Sequence, residues 1–157
     1  MSYEPQIETR EARSTAVVHT TVPMSDIGEA LSSIFSEVVA YLGRVGATPL
    51  EAFARYTIHD GGAEVDIEAG FSTTGSIRPE GRIESGSLPG GEVATVLHVG
   101  PYDRVGEAYE AVEAWLEEKG REQKEQPWEV YLSMPEEVPP RTLVIFPLRP
   151  AVSRPQD

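Results

Sequence analysis

Two short motifs in this chain occur twice at one spacing. Ile27-Gly28-Glu29-Ala30 returns as Val105-Gly106-Glu107-Ala108, and Pro49-Leu50-Glu51-Ala52-Phe53 returns as Pro127-Trp128-Glu129-Val130-Tyr131, so the step from 27 to 105 equals the step from 49 to 127. Val17-Val18-His19 matches Val96-Leu97-His98 once a single residue is inserted. Two matches at one offset, at corresponding points of the same element order, constrain the fold more than any single motif does. The chain reads as two copies of a strand-helix-strand-strand unit, one over residues 5–75 and one over residues 80–150. A unit of that size cannot bury its own sheet. The copies are therefore expected to pack about a pseudo-two-fold axis into one domain over residues 1–150, leaving 151–157 as a flexible tail.

Local patterns fill in the elements. Strands are expected around Ile7 and over 15–19. Asp26, with Glu29 three residues on, forms a capping-box pattern at the head of a helix whose apolar stripe is Ile27, Leu31, Ile34, Phe35, Val38 and Leu42, ended by Gly43 or Gly46. Strands over 50–58 and 64–71 are joined by Asp60-Gly61-Gly62, a tight-turn sequence. Further strands are expected over 82–87, 93–99, 127–132 and 142–148. The second helix is capped by Asp103, presents Val105, Ala108, Tyr109, Val112 and Leu116, and closes at Gly120. The fold class is α+β, with antiparallel sheets and two long helices on one face. Strict alternation then lines a central groove on the opposite face with Glu51, Phe53, Arg55, Glu129 and Tyr131, and with Glu64, Asp66 and Glu68 alongside.

Composition excludes several functions. Thirteen Lys and Arg against twenty-six Asp and Glu give a formal charge of −13, which repels nucleic-acid phosphates and argues against direct nucleic-acid binding. The chain has no cysteine, which removes disulfides, thiolate catalysis and most zinc sites. Three scattered histidines show no ligand spacing, so neither a metal nor a cofactor is expected. No apolar run approaches membrane-spanning length and the N-terminus lacks a basic, apolar leader, so a cytoplasmic location is expected.

Leu88-Pro89-Gly90-Gly91, His98-Val99-Gly100-Pro101-Tyr102-Asp103, Ala114-Trp115-Leu116 and Pro127-Trp128-Glu129-Val130-Tyr131-Leu132 follow one another in an order and spacing that resemble the GyrI-like small-molecule-binding domain. That domain is also the effector-binding module of AraC-type and multidrug-responsive regulators. The resemblance spans most of the chain and is strongest over 88–132. It implies a duplicated α+β fold with a central aromatic pocket, in which Glu129 is the acidic anchor for flat cationic ligands and Tyr102 and Tyr131 are aromatic pocket positions. The sequence carries no helix-turn-helix segment, so a stand-alone member is expected. Some relatives hydrolyse cyclopropane-containing genotoxins and some inhibit DNA gyrase.

Each candidate residue carries two readings. Glu129 is either a solvated strand residue or a groove acid in need of a cationic partner. Tyr102 either pins the turn after Gly100-Pro101 or lines the pocket. Phe53 belongs to the groove, because beside Glu51 and Arg55 it would otherwise face water. Arg55 can neutralise a neighbouring carboxylate, and Glu68 is the strand acid farthest from the hairpin tip. His19 and His98 serve strand ends, Trp115 packs its helix and Trp128 turns to the core. The ligand-binding set expected from sequence is Phe53, Arg55, Glu68, Tyr102, Glu129 and Tyr131. The leading expectation is a binder of small planar cationic or aromatic molecules. The alternatives are a hydrolase of strained electrophiles, with Glu129 as general base and Tyr102 or Tyr131 as proton donor, and a protein-binding inhibitor of gyrase.

Overall fold

Eight antiparallel strands form one sheet, seen in a computed structural model that describes residues 3–132 and 138–150, with the side chains of Asp60 and Asp103 outside that description. In chain order the strands are β1 (Gln6–Arg10), β2 (Arg13–Pro23), β3 (Pro49–His59), β4 (Glu64–Thr73), β5 (Ile83–Leu88), β6 (Gly91–Val99), β7 (Trp128–Tyr131) and β8 (Arg141–Pro147). The helices are α1 (Ile27–Val45) and α2 (Gly106–Lys119). The order across the sheet is β1-β6-β8-β7-β3-β4-β2-β5, so β3 and β7 meet in the middle. The expected tail, 151–157, lies outside the described residues.

Both helices follow their apolar stripes. Ile34, Val38, Tyr41 and Leu42 of α1 are buried, and α2 buries Ala108, Val112 and Leu116. Gly46 stops α1 in the left-handed conformation, φ 72°, with its N–H bonded to the Leu42 carbonyl. Gly120 does the same for α2 at φ 66°. The capping-box expectation fails: Asp26 makes no side-chain hydrogen bond at the head of α1, because a 3-10 turn over Met24–Asp26 leads directly into the helix. Val105 heads α2, also without a side-chain cap, and the Asp103 side chain expected there is not described.

Register shows how the sheet's two faces differ. Paired residues of neighbouring strands share a face. Ile83, Val18, Ala69, Ala54, Glu129, Val144 and Val96 are partners in succession from β5 across to β6. At one end of this row, Val18, Ala54 and Ala69 cluster with Ile34, Val38, Tyr41 and Leu42 of α1. At the other end, Val96 and Val144 cluster with Ala108, Val112 and Leu116 of α2. Glu129 is the polar member of the row and stands between the two clusters. The opposite face holds a third cluster of Val17, Phe53, Leu88, Val93, Trp128, Val130 and Ile145. Burying each large apolar side chain contributes about 1.5–3 kcal/mol.

The sheet is strongly curled. Arg10 on β1 and Glu51 on β3 are separated by three intervening strands, which in a flat sheet would place them about 19 Å apart. Their side chains nonetheless meet at 3.2 Å, from Nη1 to Oε1. The sheet therefore bends toward the third cluster and away from the face that holds Glu129. Gly70, fully inside this bend, is a partner of both Val17 and Phe53. A Cβ built there would lie 1.9 Å from the Ala16 carbonyl oxygen, so the backbones of β2 and β4 approach too closely for any side chain at this position.

Candidate functional site

Glu129 sits at the middle of the sheet on a four-residue strand, and only 6% of its surface is exposed. Phenol hydroxyls hold both of its carboxyl oxygens. Tyr131 donates to Oε1 at 2.8 Å and Tyr109, from α2, donates to Oε2 at 2.7 Å. The Tyr131 hydroxyl also lies 2.6 Å from that of Tyr56. A hydroxyl has one proton to donate, and Tyr131 gives its own to Glu129, so Tyr56 must donate to Tyr131. The result is a directed chain from Tyr56 through Tyr131 to the carboxylate.

Aromatic rings surround this chain. Phe35 of α1 meets Tyr131 edge to face with centroids 5.9 Å apart, and meets Phe71 at 5.6 Å. Tyr102 meets Tyr131 in the same way at 6.0 Å. Tyr109 packs on Phe146 at 5.6 Å. Phe35, Tyr56, Phe71, Tyr109 and Tyr131 are each half-buried, and Tyr102 is exposed. Together they cluster as an aromatic enclosure around a buried acid, with Tyr102 at its exposed edge. Ring faces carry negative potential, so such an enclosure favours cations.

Electrostatics point the same way. Burial pushes the Glu129 carboxyl above the ordinary glutamate value, while the hydrogen bonds from Tyr109 and Tyr131 and the nearby His98 pull it partly back. Tyr56, Tyr109 and Tyr131 are raised by burial first and by the Glu129 charge second, so they remain proton donors at neutral pH. Among the described residues no Lys or Arg forms an ion pair with Glu129. Among the described residues its charge is solvated by phenols and paired with no Lys or Arg. Removing one donor makes this measurable: Tyr109→Phe is expected to raise the Glu129 pKa further, read from the carboxyl carbon in an NMR titration. A carboxyl that titrates at the same pH or lower would show that the bond contributes nothing.

The site differs from the sequence reading in its face. Alternation through Glu51, Phe53 and Arg55 placed β3's contribution beside Glu129. In the structure Ala54 is Glu129's neighbour and Phe53 pairs with Val130 on the other face. The cause is an irregularity near the start of β3: Pro49 pairs with Thr73 but Ala52 pairs with Phe71, so three steps on β3 match two on β4. One extra residue reverses the alternation of everything beyond it. The Ser72 hydroxyl accepts the Glu51 N–H at this point, at 3.1 Å. Phe53 is consequently a fully buried core residue. Arg55 and Glu68 form a cross-strand pair on the same far face, 2.7 Å apart and mostly buried. They line a polar cavity of about 350 Å³ with His19, Thr57, Asp66 and Gln126. The groove was expected on the face opposite the helix-packed one; Glu129 instead shares the row that packs against both helices.

Tyr102 is carried by a 3-10 turn over Tyr102–Arg104, and His98 fixes the approach to it. His98 is buried. Its Nε2–H donates to the Pro101 carbonyl at 2.8 Å, and its Nδ1 lies 2.9 Å from the Tyr3 hydroxyl. The ring is thus held in place at the end of β6. Tyr56, Tyr109, Phe35 and Phe71 were not among the candidates. Phe35 and Tyr109 lie on the helix stripes read from the sequence, and a tyrosine on such a stripe is itself a signal, because its hydroxyl needs a partner. Among the described residues no group of three or more His, Asp or Glu could hold a metal ion. Among the described residues no helix is long and apolar enough to cross a membrane.

Solved structures share this fold. The chain superposes on the C-terminal domain of EcmrR with a TM-score of 0.77 at 20% identity, covering 95% of this chain and 99% of that one. EcmrR in a DNA complex gives 0.79 at 20% identity over 93% of this chain, which spans 57% of that longer chain. SAV2435 bound to tetraphenylphosphonium gives 0.64 at 11% identity, covering 94% of each chain. At these identities the likeness concerns the fold. No curated protein matches the sequence. The sequence model of the GyrI-like small molecule binding domain matches residues 3–149, and the protein belongs to that family.

Proposed function

We propose that this protein binds lipophilic organic cations of delocalised charge in the aromatic enclosure between α1 and α2, with Glu129 as counter-ion and Phe35, Tyr56, Tyr102, Tyr109 and Tyr131 as walls. The observation that carries this reading is a buried carboxylate, in the middle of an otherwise apolar row, solvated by two phenols and paired with no cation. A fixed arginine there would fill the charge requirement permanently; in this reading the ligand supplies that charge instead. Strongly hydrated ammonium ions lose too much solvation in such a site, whereas a cation whose charge is spread over rings gives up little water and gains ring contacts. Binding of tetraphenylphosphonium by SAV2435, which has this fold, supports the ligand class. The sheet order, which runs inward from each edge to β3 and β7, supports the reading of two pseudo-two-fold-related halves with the site where they meet.

Calorimetric titration with tetraphenylphosphonium and with triphenylphosphine oxide, a neutral molecule of related shape, tests the proposal. The cation is expected to bind with one-to-one stoichiometry and the oxide to bind at least tenfold more weakly. Equal affinities would remove Glu129 from the explanation.

A second reading rests on the raised Glu129 carboxyl itself. Such a group is a better general base at neutral pH than an ordinary glutamate, and the adjacent tyrosines hold protons. Hydrolysis of a cyclopropane-bearing electrophile would then be abolished in Glu129→Gln. Stoichiometric uptake of that compound with no product formed would reject catalysis and leave binding.

A further inference from the structure

The bend of the sheet creates a second cavity, well separated in character from the Glu129 enclosure. It has a volume of about 400 Å³ and is lined by Arg10, Arg13, Leu50, Leu88, Pro89 and Trp128, with Thr9, Glu11 and Glu51 completing it. That volume falls in the range of small-molecule sites. Its walls come from both edges of the curled sheet and from its middle: β1, the β1–β2 connection, the start of β3, the end of β5 and the start of β7.

Two residues of this cavity bear on what it can hold. Trp128 is 2% exposed, and its indole Nε1–H is buried with no hydrogen-bond acceptor among the described residues. The nitrogen itself is closed off from the cavity, so Trp128 presents its ring there. Arg13 is the second. Its neighbour Arg10 is engaged by Glu8 at 3.4 Å and Glu51 at 3.2 Å, whereas Arg13 makes no ion pair or side-chain hydrogen bond among the described residues. An unengaged guanidinium at the mouth of an apolar cavity, on a protein of formal charge −13, stands out against its surroundings. Leu50, 39% exposed, adds apolar surface open to solvent at the same rim.

We propose that this cavity is a second ligand site, for an aromatic carboxylate. The carboxylate pairs with the planar fork of Arg13, which matches two oxygens at once. The ring body lies against Leu50, Leu88, Pro89 and the Trp128 ring. The charge preference is opposite to that of the Glu129 enclosure, so the two sites take different molecules, and this assignment stands whether or not the first site binds cations.

The Trp128 indole N–H reports the site directly by NMR, and Trp115→Phe leaves it as the chain's remaining indole signal, since the sequence has two tryptophans. In that variant, 1-naphthylacetate is expected to shift the signal saturably. Arg13→Gln, an exposed position whose change leaves the core intact, is expected to weaken binding at least tenfold, and 1-naphthylacetamide to bind at least tenfold more weakly than the acid. The proposal is overturned if the indole signal stays fixed up to the solubility limit of the acid, if Arg13→Gln binds as tightly, or if the amide binds as well as the acid.

Discussion

Replacing Glu129 with glutamine is expected to abolish most cation affinity while leaving the fold at least as stable at neutral pH. Truncating one partner of a desolvated charge pair costs about 2 kcal/mol or more, which is roughly a thirtyfold or larger rise in Kd for tetraphenylphosphonium. Stability moves the other way for a definite reason. The folded-state carboxyl is held above its unfolded value, so the native state prefers the protonated form. The contribution of that preference is fully present below the unfolded pKa and is lost as pH rises through the folded one. At pH 7 the wild-type protein therefore carries an ionised acid that opposes folding, and Glu129→Gln does not. Thermal melts should show the variant equal or higher at pH 7, with its advantage shrinking as the solution is acidified. Cation affinity of the wild type should also fall on acidification, beginning at a pH above the ordinary glutamate range, because the proton and the ligand compete for one carboxylate. A variant that melts markedly lower and binds undiminished would contradict both halves of the account.

Gly70→Ala is expected to be the most damaging single methyl group that can be added to this chain's sheet. The new Cβ would stand 1.9 Å from the Ala16 carbonyl oxygen and 2.9 Å from the Val17 Cα, and both are backbone atoms that cannot swing aside. Relief requires β2 and β4 to separate along a pairing that runs from Ser14–Thr73 to Pro23–Glu64. A loss of about 3 kcal/mol or more is expected, or roughly 6–12 °C in Tm for a chain of this size. Gly43→Ala provides the contrast. Nothing lies within 4 Å of its Cβ position in the interior of α1, so the same chemical change should stabilise by up to about 1 kcal/mol. Urea melts of the two variants separate steric crowding from glycine's general flexibility. Similar midpoints for both would show that β2 and β4 can part at no great cost.

Much of this architecture could be read from the chain before any coordinates. Each strand and both helices fall within a few residues of where alternation, helical stripes and glycine stops put them, because those signals are local. Glu129 and Tyr131 were also reachable, since four residues of β7 alternate without interruption. The misplacement of Phe53 and Arg55 arose from a signal that is not local. The added residue between Pro49 and Ala52 is defined only against β4, and nothing in Pro49-Leu50-Glu51-Ala52 distinguishes it from the uninterrupted Pro127-Trp128-Glu129-Val130 that it resembles. The repeat therefore carried one error forward: it equated Glu51 with Glu129, although only one of the two glutamates occupies the buried row. Tyr56 and Tyr109 were hidden for a related reason. Tyr109 is legible as a core position of α2 and Tyr56 is not singled out, and both hydroxyls find their partners on elements distant in sequence, Tyr131 and Glu129.

The outermost strands are exchanged between the chain's halves. β1 pairs with β6, joining Gln6 to Thr95, and β5, which directly precedes β6, pairs with β2. A ribosome that has released the first eighty residues has therefore made β1 without its mate, and α1 with its three strands must wait with one sheet border uncovered. Neither half is a self-sufficient folding unit. The sheet is complete only when β6 to β8 have been delivered, and the row that carries Glu129 closes with them.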